Sequence, residues 1–392
     1  MMNRELNRIA ANIPPSGIRK FFDIVTTMED AISLGVGEPD FDTPWHIREE
    51  GIYSLERGRT FYTSNAGLVE LRQEICNYLK RRFDLDYHYD TEIAVTVGGS
   101  EGIDATLRTI LNPGDEVLVP EPSFVCYKPC VALSGGIPVP IALKVENEFR
   151  LTREEVEEHL TEKTKAIILS FPNNPTGAIM TREDLQAIAD VAIENDLIVI
   201  SDEIYAELSY GEEHVSIATL DGMRERTIVV SGFSKAYAMT GWRIGYVVAP
   251  AHFIDVLKII HQYAIMCSPT TSQYAALEAA KNGDKDIEEM KVAYDQRRRL
   301  MVEYLNNMGL ECFEPQGAFY VFPSIQSTGL TSEEFATQLL KSKKVAVVPG
   351  TAFGDSGEGF IRCSYAYSVD ELKIALERIE EFVTEIKENR AK

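Results

Sequence analysis

Between about residue 93 and residue 250 the chain repeats one pattern: a short apolar, β-branched run, then a longer stretch of helical periodicity. The runs are Ile93–Val97, Glu116–Val119, Ile137–Ile141, Ala166–Ser170, Ile198–Ser201, Thr227–Val230 and Gly245–Val248. Runs this short and this apolar predict strands buried on both faces. Helical patterns lie between most of them, for example over Ser100–Leu111, Arg182–Glu194 and His252–Gln262. Alternating strand and helix predicts an α/β fold around a mainly parallel seven-stranded sheet flanked by helices. Ligands of such sheets bind beyond the C-terminal ends of the strands.

On either side of this repeat the pattern changes. Leu68, Leu71, Ile75 and Leu79 recur at helical spacing, so an amphipathic helix runs from Gly67. Pro44 marks the start of another over His46–Arg57. Residues 1–30 read as helical, broken at Pro14-Pro15-Ser16-Gly17; Ala31–Leu34 is a short strand before the turn-rich Gly35–Pro44. Beyond Asn282 come a long charged helix to Asn307, a helix over Thr331–Lys341, strands within Val345–Gly350 and Gly359–Ala366, and a last helix over Val369–Ile386. We therefore expect two domains, a large α/β domain over residues 45–284 and a smaller α+β domain from residues 1–44 and 285–392.

Composition narrows the function classes. The 392 residues are 45% hydrophobic and carry a net charge of −22. That balance argues against nucleic acid or an anionic membrane as partner, because both call for a basic patch. No apolar run is long enough to cross a bilayer and the N-terminus has no signal-peptide core, so a cytoplasmic protein is expected. Of the six cysteines only Cys126 and Cys130 are close, and the six histidines show no metal-binding spacing. No metal site is expected.

The candidate chemistry gathers after the predicted strands. Thr227–Val230 leads into SGFSKAYAMTGWRIG, Ser231–Gly245, where small residues surround Lys235. A lysine at a strand end can project into a cleft and attack a carbonyl, once burial or a neighbouring cation lowers its pKa. Gly98-Gly99-Ser100-Glu101 follows a strand and opens a helix, which makes an anion site of free N–H groups. Phe171–Gly177 (FPNNPTG) is fixed by two prolines and can hold the Asn174 amide toward a ligand. Asp202 ends a strand with Tyr205 three residues on, and a carboxylate placed there needs a cation or strong donor. A phosphate site, an amide, a carboxylate, a phenol, a lysine and Arg243 together suit pyridoxal 5′-phosphate. An Asp beside its ring nitrogen keeps the ring electron-accepting, and amide and phenol bonds to the ring oxygen stabilise its anion.

These stretches, with PSGIRKF, GVGEPDFDTP, FYTSNAG, PQGAFYVFP, VPGTAFG and GFIRCSYA in this order, resemble the class I/II pyridoxal-phosphate-dependent aminotransferases of fold type I. The branch most similar holds the aspartate, aromatic and PatA-type enzymes. The resemblance spans nearly the whole chain and implies roles. Lys235 is the lysine that joins the cofactor aldehyde and shuttles the proton. Asp202 pairs with the ring nitrogen, and Asn174 and Tyr205 bond the ring oxygen. Gly99, Ser100, Glu101, Ser234 and Arg243 hold the phosphate, and Phe124 stacks on the ring. Tyr62 reaches the phosphate of a second subunit, which implies a homodimer with shared sites. Arg362 grips the substrate α-carboxylate, helped by Gly37 and Asn174, and Ile18 lines the mouth with Phe124 and Tyr320 or Tyr263. The chain departs from the family at Gly232, where relatives have a hydroxyl residue for the phosphate that Ser234 or Ser231 then replaces, and at Phe124, which cannot donate a hydrogen bond. Amino-group transfer from an aromatic or aspartate-like amino acid to an oxo acid such as 2-oxoglutarate is expected. A C–S β-lyase would share the cofactor residues; a regulatory protein of this fold would carry an added DNA-binding domain and have no need of Lys235.

Overall fold

The computed structural model describes residues 6–15, 17, 28 and 30–391. After the short β1 (Ile32–Ser33) the chain builds β2 (Ile93–Thr96), β3 (Glu116–Glu121), β4 (Ile137–Ala142), β5 (Thr164–Ser170), β6 (Ile198–Asp202), β7 (Thr227–Gly232) and β8 (Gly245–Val248). These seven, β2 to β8, form one sheet in the order β2-β8-β7-β6-β5-β3-β4. Every neighbouring pair is parallel except the two that involve β8, which runs against both β2 and β7. The seven apolar runs are thus the seven strands, and the sheet is α/β and mainly parallel.

Six of the strands are apolar and buried because successive side chains enter different cores; β4, at the edge of the sheet, buries only Ile141, so its run is not covered on both faces as expected. Leu118 packs in one cluster with Ile167 and Val199, while Val117 and Val119 join Ile168 and Ile200 on the other face. Val229 likewise parts from Ile228 and Val230. Each such side chain contributes about 1.5–3 kcal/mol on burial. Helix Arg182–Glu194 matches its expected bounds, and Thr181 starts it through a capping box with Asp184. Helix Val69–Phe83 stops where Asp84 turns left-handed, with φ 54°.

The remaining strands form smaller sheets beside the large one. β9 (Tyr320–Val321), β10 (Val345–Ala346), β11 (Val348–Pro349) and β12 (Ile361–Ser364) make two small sheets: β1 pairs with β10, and β12 lies between β11 and β9. Helices Asp284–Asn307, Ser332–Lys343 and Val369–Ala391 cover them, and the shared core reaches Tyr205 and Leu208 just past β6. Near the N-terminus a helix runs over Arg8–Asn12, and much of the rest of residues 1–30 lies outside the described residues. Ile18 lies outside the described residues. Among those residues no helix is long and apolar enough to cross a membrane.

Candidate active site

The sheet presents its chemistry along one edge. Gly98 follows β2, Phe124 follows β3, Asn174 follows β5, Asp202 closes β6 and Lys235 follows β7. Arg243 precedes β8 and reaches the same edge because β8 runs the other way.

At one end of this row the backbone itself forms a cradle. Helix Gly98–Ile110 starts with Gly98 at φ 77°. Its first N–H groups have no partner within the helix and carry the positive end of the dipole. A Cβ on Gly98 would stand 2.5 Å from Arg243 Nη2, so glycine lets the guanidinium lie against the helix start. Arg243 is itself left-handed, at φ 52°, a conformation costing about 1–2 kcal/mol in a non-glycine residue. Its Nη1 donates to Thr240 O at 3.1 Å. Gly232 explains the missing hydroxyl: a Cβ there would meet Gly245 Cα at 2.9 Å, so β7 and β8 approach too closely for a side chain. Of the two serines expected to replace it, Ser231 faces away and donates to Glu203 O at 3.2 Å. Ser234 is buried beside Lys235. Glu101 is at the helix start as expected, but its carboxylate folds back to accept from Val97 N at 2.5 Å.

Asp202 and Lys235 are both enclosed, and burial acts on them with opposite sign. Asp202 accepts from Tyr127 OH at 2.8 Å and from Ile204 N at 3.2 Å. Its pKa is raised to about 6, by burial above all, with those two hydrogen bonds opposing. Tyr127 OH also lies 2.8 Å from Ser170 Oγ. Lys235 Nζ donates to Gly37 O at 2.7 Å. Burial brings its pKa down to about 8; Glu38 and Asp202 oppose the fall, while Arg362 and Arg243 add to it. The amine stands 5.9 Å from the Tyr205 ring centre and 5.8 Å from that of Phe319.

The small sheets supply the other wall. Arg362, on β12, is buried; it donates through Nη1 to Asn174 Oδ1 at 2.8 Å and through Nη2 to Gly35 O at 2.6 Å. Its guanidinium carbon lies 4.5 Å from the Tyr320 ring centre and 4.8 Å from that of Phe353, and Nε is buried without a partner. Tyr205 OH and Tyr320 OH are 2.8 Å apart. A Cβ on Gly37 would meet Tyr320 OH at 2.5 Å, so glycine lets this loop close over the ring. Tyr320 is therefore part of the floor rather than the mouth, and Tyr263 is exposed on helix Ala251–Ala264 instead. Phe124 sits edge-on to Tyr127 at 6.0 Å. Tyr62 is not in this cluster: it is 80% exposed. Tyr127 was missed from the sequence; its place three residues after Phe124, on a short helix, was the available signal.

These residues suit one group. A buried amine held near neutrality, a buried acid on the same strand edge, a glycine cradle with an arginine beside it, and an orphaned guanidinium N–H on the opposite wall fit pyridoxal 5′-phosphate and an amino acid. Fold and cluster together define a pyridoxal-phosphate-dependent transferase of fold type I.

Comparisons agree. Residues 29–379 match the family model described as aminotransferase class I and II. The Bacillus subtilis protein YugH is 56% identical over 382 residues, covering 97% of this chain and 99% of its own. An aspartate aminotransferase of Pyrococcus abyssi is 49% identical, covering 96% and 97%. The crystal structure of the Pyrococcus horikoshii aromatic aminotransferase superposes with a TM-score of 0.90 at 47% identity, covering 94% of this chain and 99% of that one. The chain belongs to the class I and II aminotransferase family, and it is an aminotransferase that works with pyridoxal phosphate.

Proposed function

We propose that this enzyme passes the amino group of an L-amino acid with an aromatic or aspartate-like side chain to 2-oxoglutarate, in two half-reactions at one site. The observation that carries this is Arg362: a buried guanidinium with an unpartnered Nε–H, set between the rings of Tyr320 and Phe353. A guanidinium recognises a carboxylate bidentately, which suits the α-carboxylate of an amino acid or oxo acid. Relatives named for aspartate and for aromatic substrates support both ends of the range.

When bound, pyridoxal 5′-phosphate supplies an electron-accepting ring conjugated to the substrate Cα. This chain's residues then divide the remaining work. Gly99, Ser100 and Glu101 offer backbone N–H groups, and Arg243 and Ser234 complete the hold on phosphate. Asp202 would pair with the ring nitrogen and keep it protonated, a partner its buried carboxyl otherwise lacks apart from Tyr127 and Ile204 N. Asn174 and Tyr205 would offer hydrogen bonds to the ring oxygen, and Phe124 would lie against the ring. Lys235 Nζ, whose pKa lies near 8, would be the base that takes up the proton leaving the substrate Cα and carries it during the transfer. Arg362 and Asn174 orient the carboxylate, Gly37 closes over it, and Ile18 belongs to the mouth.

The exposed Tyr62 belongs with a second copy. Phe61 and Tyr263 are exposed too, and the two loops are tied by Thr270 Oγ1 donating to Phe61 O and Asn65 Nδ2 to Met266 O, each at 2.7 Å. An apolar patch of this kind suits an interface. We place the homodimer contact there, with Tyr62 completing the other subunit's site, and take residues 45–284 as the large domain against the remainder.

The test is incubation with tyrosine, phenylalanine or aspartate and 2-oxoglutarate. Glutamate and the matching oxo acid are expected; pyruvate and ammonia released from cystathionine without any acceptor would overturn the proposal in favour of a lyase.

A further inference from the structure

Behind the glycine cradle stands a histidine that none of the roles above uses. His261, on helix Ala251–Ala264, is wholly buried, and its Nδ1 lies 2.5 Å from Glu101 Oε1. The carboxylate accepts, so Nδ1 carries the proton. The other oxygen of Glu101 accepts from Val97 N, the residue just before the helix. Nε2 of the histidine is buried with no partner. An unsatisfied buried nitrogen is costly, on the order of 1–3 kcal/mol. A phenylalanine or leucine would fill the same volume without that cost, so the ring is explained by its one bond, to Glu101.

That bond has a consequence at the cradle. Glu101 is an anion in the first turn of the helix that receives a dianion, and left to swing outward it would repel the phosphate. Drawn back by His261, it uses the Val97 N–H, fixes the turn at which Gly98 takes φ 77°, and leaves the Gly99–Glu101 amides to the ligand. We propose that His261 is a positioning residue for the cofactor phosphate, acting through Glu101 on the shape and charge of the Val97–Ser100 turn. This rests on the proposed phosphate site.

The experiment titrates the full-length chain, stripped of cofactor, with pyridoxal 5′-phosphate and separately with pyridoxal, which lacks the phosphate. The readout is the ratio of the two affinities. His261→Ala should lower the preference for the phosphorylated form by on the order of tenfold, as loss of a hydrogen bond to a charged group implies, and leave pyridoxal binding unchanged. His261→Asn, whose amide N–H can replace Nδ1–H, should restore most of it. An unchanged ratio in His261→Ala, or no recovery in His261→Asn, overturns the proposal. If His261→Ala does not fold, His261→Phe decides: it fills the same volume but has no N–H for Glu101, so the ratio should fall severalfold, and an unchanged ratio again overturns it. A wild-type chain that does not prefer the phosphorylated form would sink the proposed phosphate site itself, a separate failure.

Discussion

The two walls of the site are built differently. The cofactor wall is one edge of one sheet: Asp202, Lys235, Arg243 and the Gly98 turn all stand at strand ends whose neighbours are hydrogen-bonded along their length. The substrate wall comes from elsewhere, with Arg362 on a small separate sheet and Gly37 on a loop. What joins the walls is a set of bonds made by the groups that would hold ligands. Arg362 Nη1 donates to Asn174 Oδ1, Lys235 Nζ to Gly37 O, and the Tyr205 and Tyr320 hydroxyls are hydrogen-bonded to each other. Ligands at these groups would therefore take over some existing partners as well as engage the unpartnered Arg362 Nε, and the bonds displaced would be those tying one wall to the other. The proposed cofactor wall is held by its sheet, and the proposed substrate wall by contacts that a substrate would displace.

The largest effect expected is at the amine. Lys235→Ala should abolish the visible-edge absorbance of the lysine-bound cofactor and lower turnover by about 10³-fold or more, since nucleophile and proton carrier leave together. A variant with an intact spectrum would remove Lys235 from the cofactor wall. Asp202→Asn comes next. It keeps a polar group for Tyr127 but no ionisable acid for the ring, and kcat should fall about 10²–10³-fold, the scale for losing one preorganised electrostatic partner. A change in KM alone would show that the residue serves the substrate wall instead.

How far the walls could be read in advance follows the same division. The cofactor wall was legible because each of its residues sits beside a strand end, where apolar runs give way to Gly, Ser, Pro or Asn, and because the resemblance is concentrated there. Arg362 carried no such local signal and was named from resemblance alone. Tyr127 was missed because its hydroxyl meets Asp202 across 75 residues, and the Glu101–His261 pair spans 160. Periodicity reports which face a residue occupies, not which distant partner waits there. Gly232 looked like a defect in a motif; its reason, the close approach of Gly245, exists only in the folded sheet.

Arg362 can separate the walls by charge. Arg362→Leu should reduce kcat/KM by about 10–100-fold through the lost charged hydrogen bonds to a carboxylate. It should also act on the far wall, because the Arg362 charge helps hold the Lys235 pKa down. In cofactor-free protein the rate of capture of pyridoxal 5′-phosphate should rise with pH through about 8, as the amine loses its proton, and in Arg362→Leu that midpoint should move upward. Arg362→Lys keeps the charge and loses the fork, so kcat/KM should fall while the midpoint stays. A midpoint that does not move in the leucine variant would mean the two walls are electrostatically independent.

The smallest effect concerns a tie outside the site. His46 begins the helix that follows the Gly37 loop; its Nδ1 is 2.8 Å from Glu278 Oε1 and its Nε2 2.9 Å from Asp286 Oδ2. Glu278 lies on helix Thr270–Asn282, packed with the large sheet, and Asp286 on helix Asp284–Asn307, packed with the small ones. Partial burial pulls the imidazole pKa down, but the bonds and charges of Asp286 and Glu278 outweigh it, and the net shift is upward. A raised folded value means that the charged pair stabilises fully below the unfolded value of about 6.5 and is lost as pH climbs through the folded one. His46→Gln keeps hydrogen bonding but carries no charge at any pH. Its melting temperature should lie about 1–2 °C below wild type near pH 6 and converge with it by about pH 9, the scale expected of a partly exposed ion pair. A gap that is the same at both pH values would mean that His46 holds the walls together by shape, and that the tie has no electrostatic part.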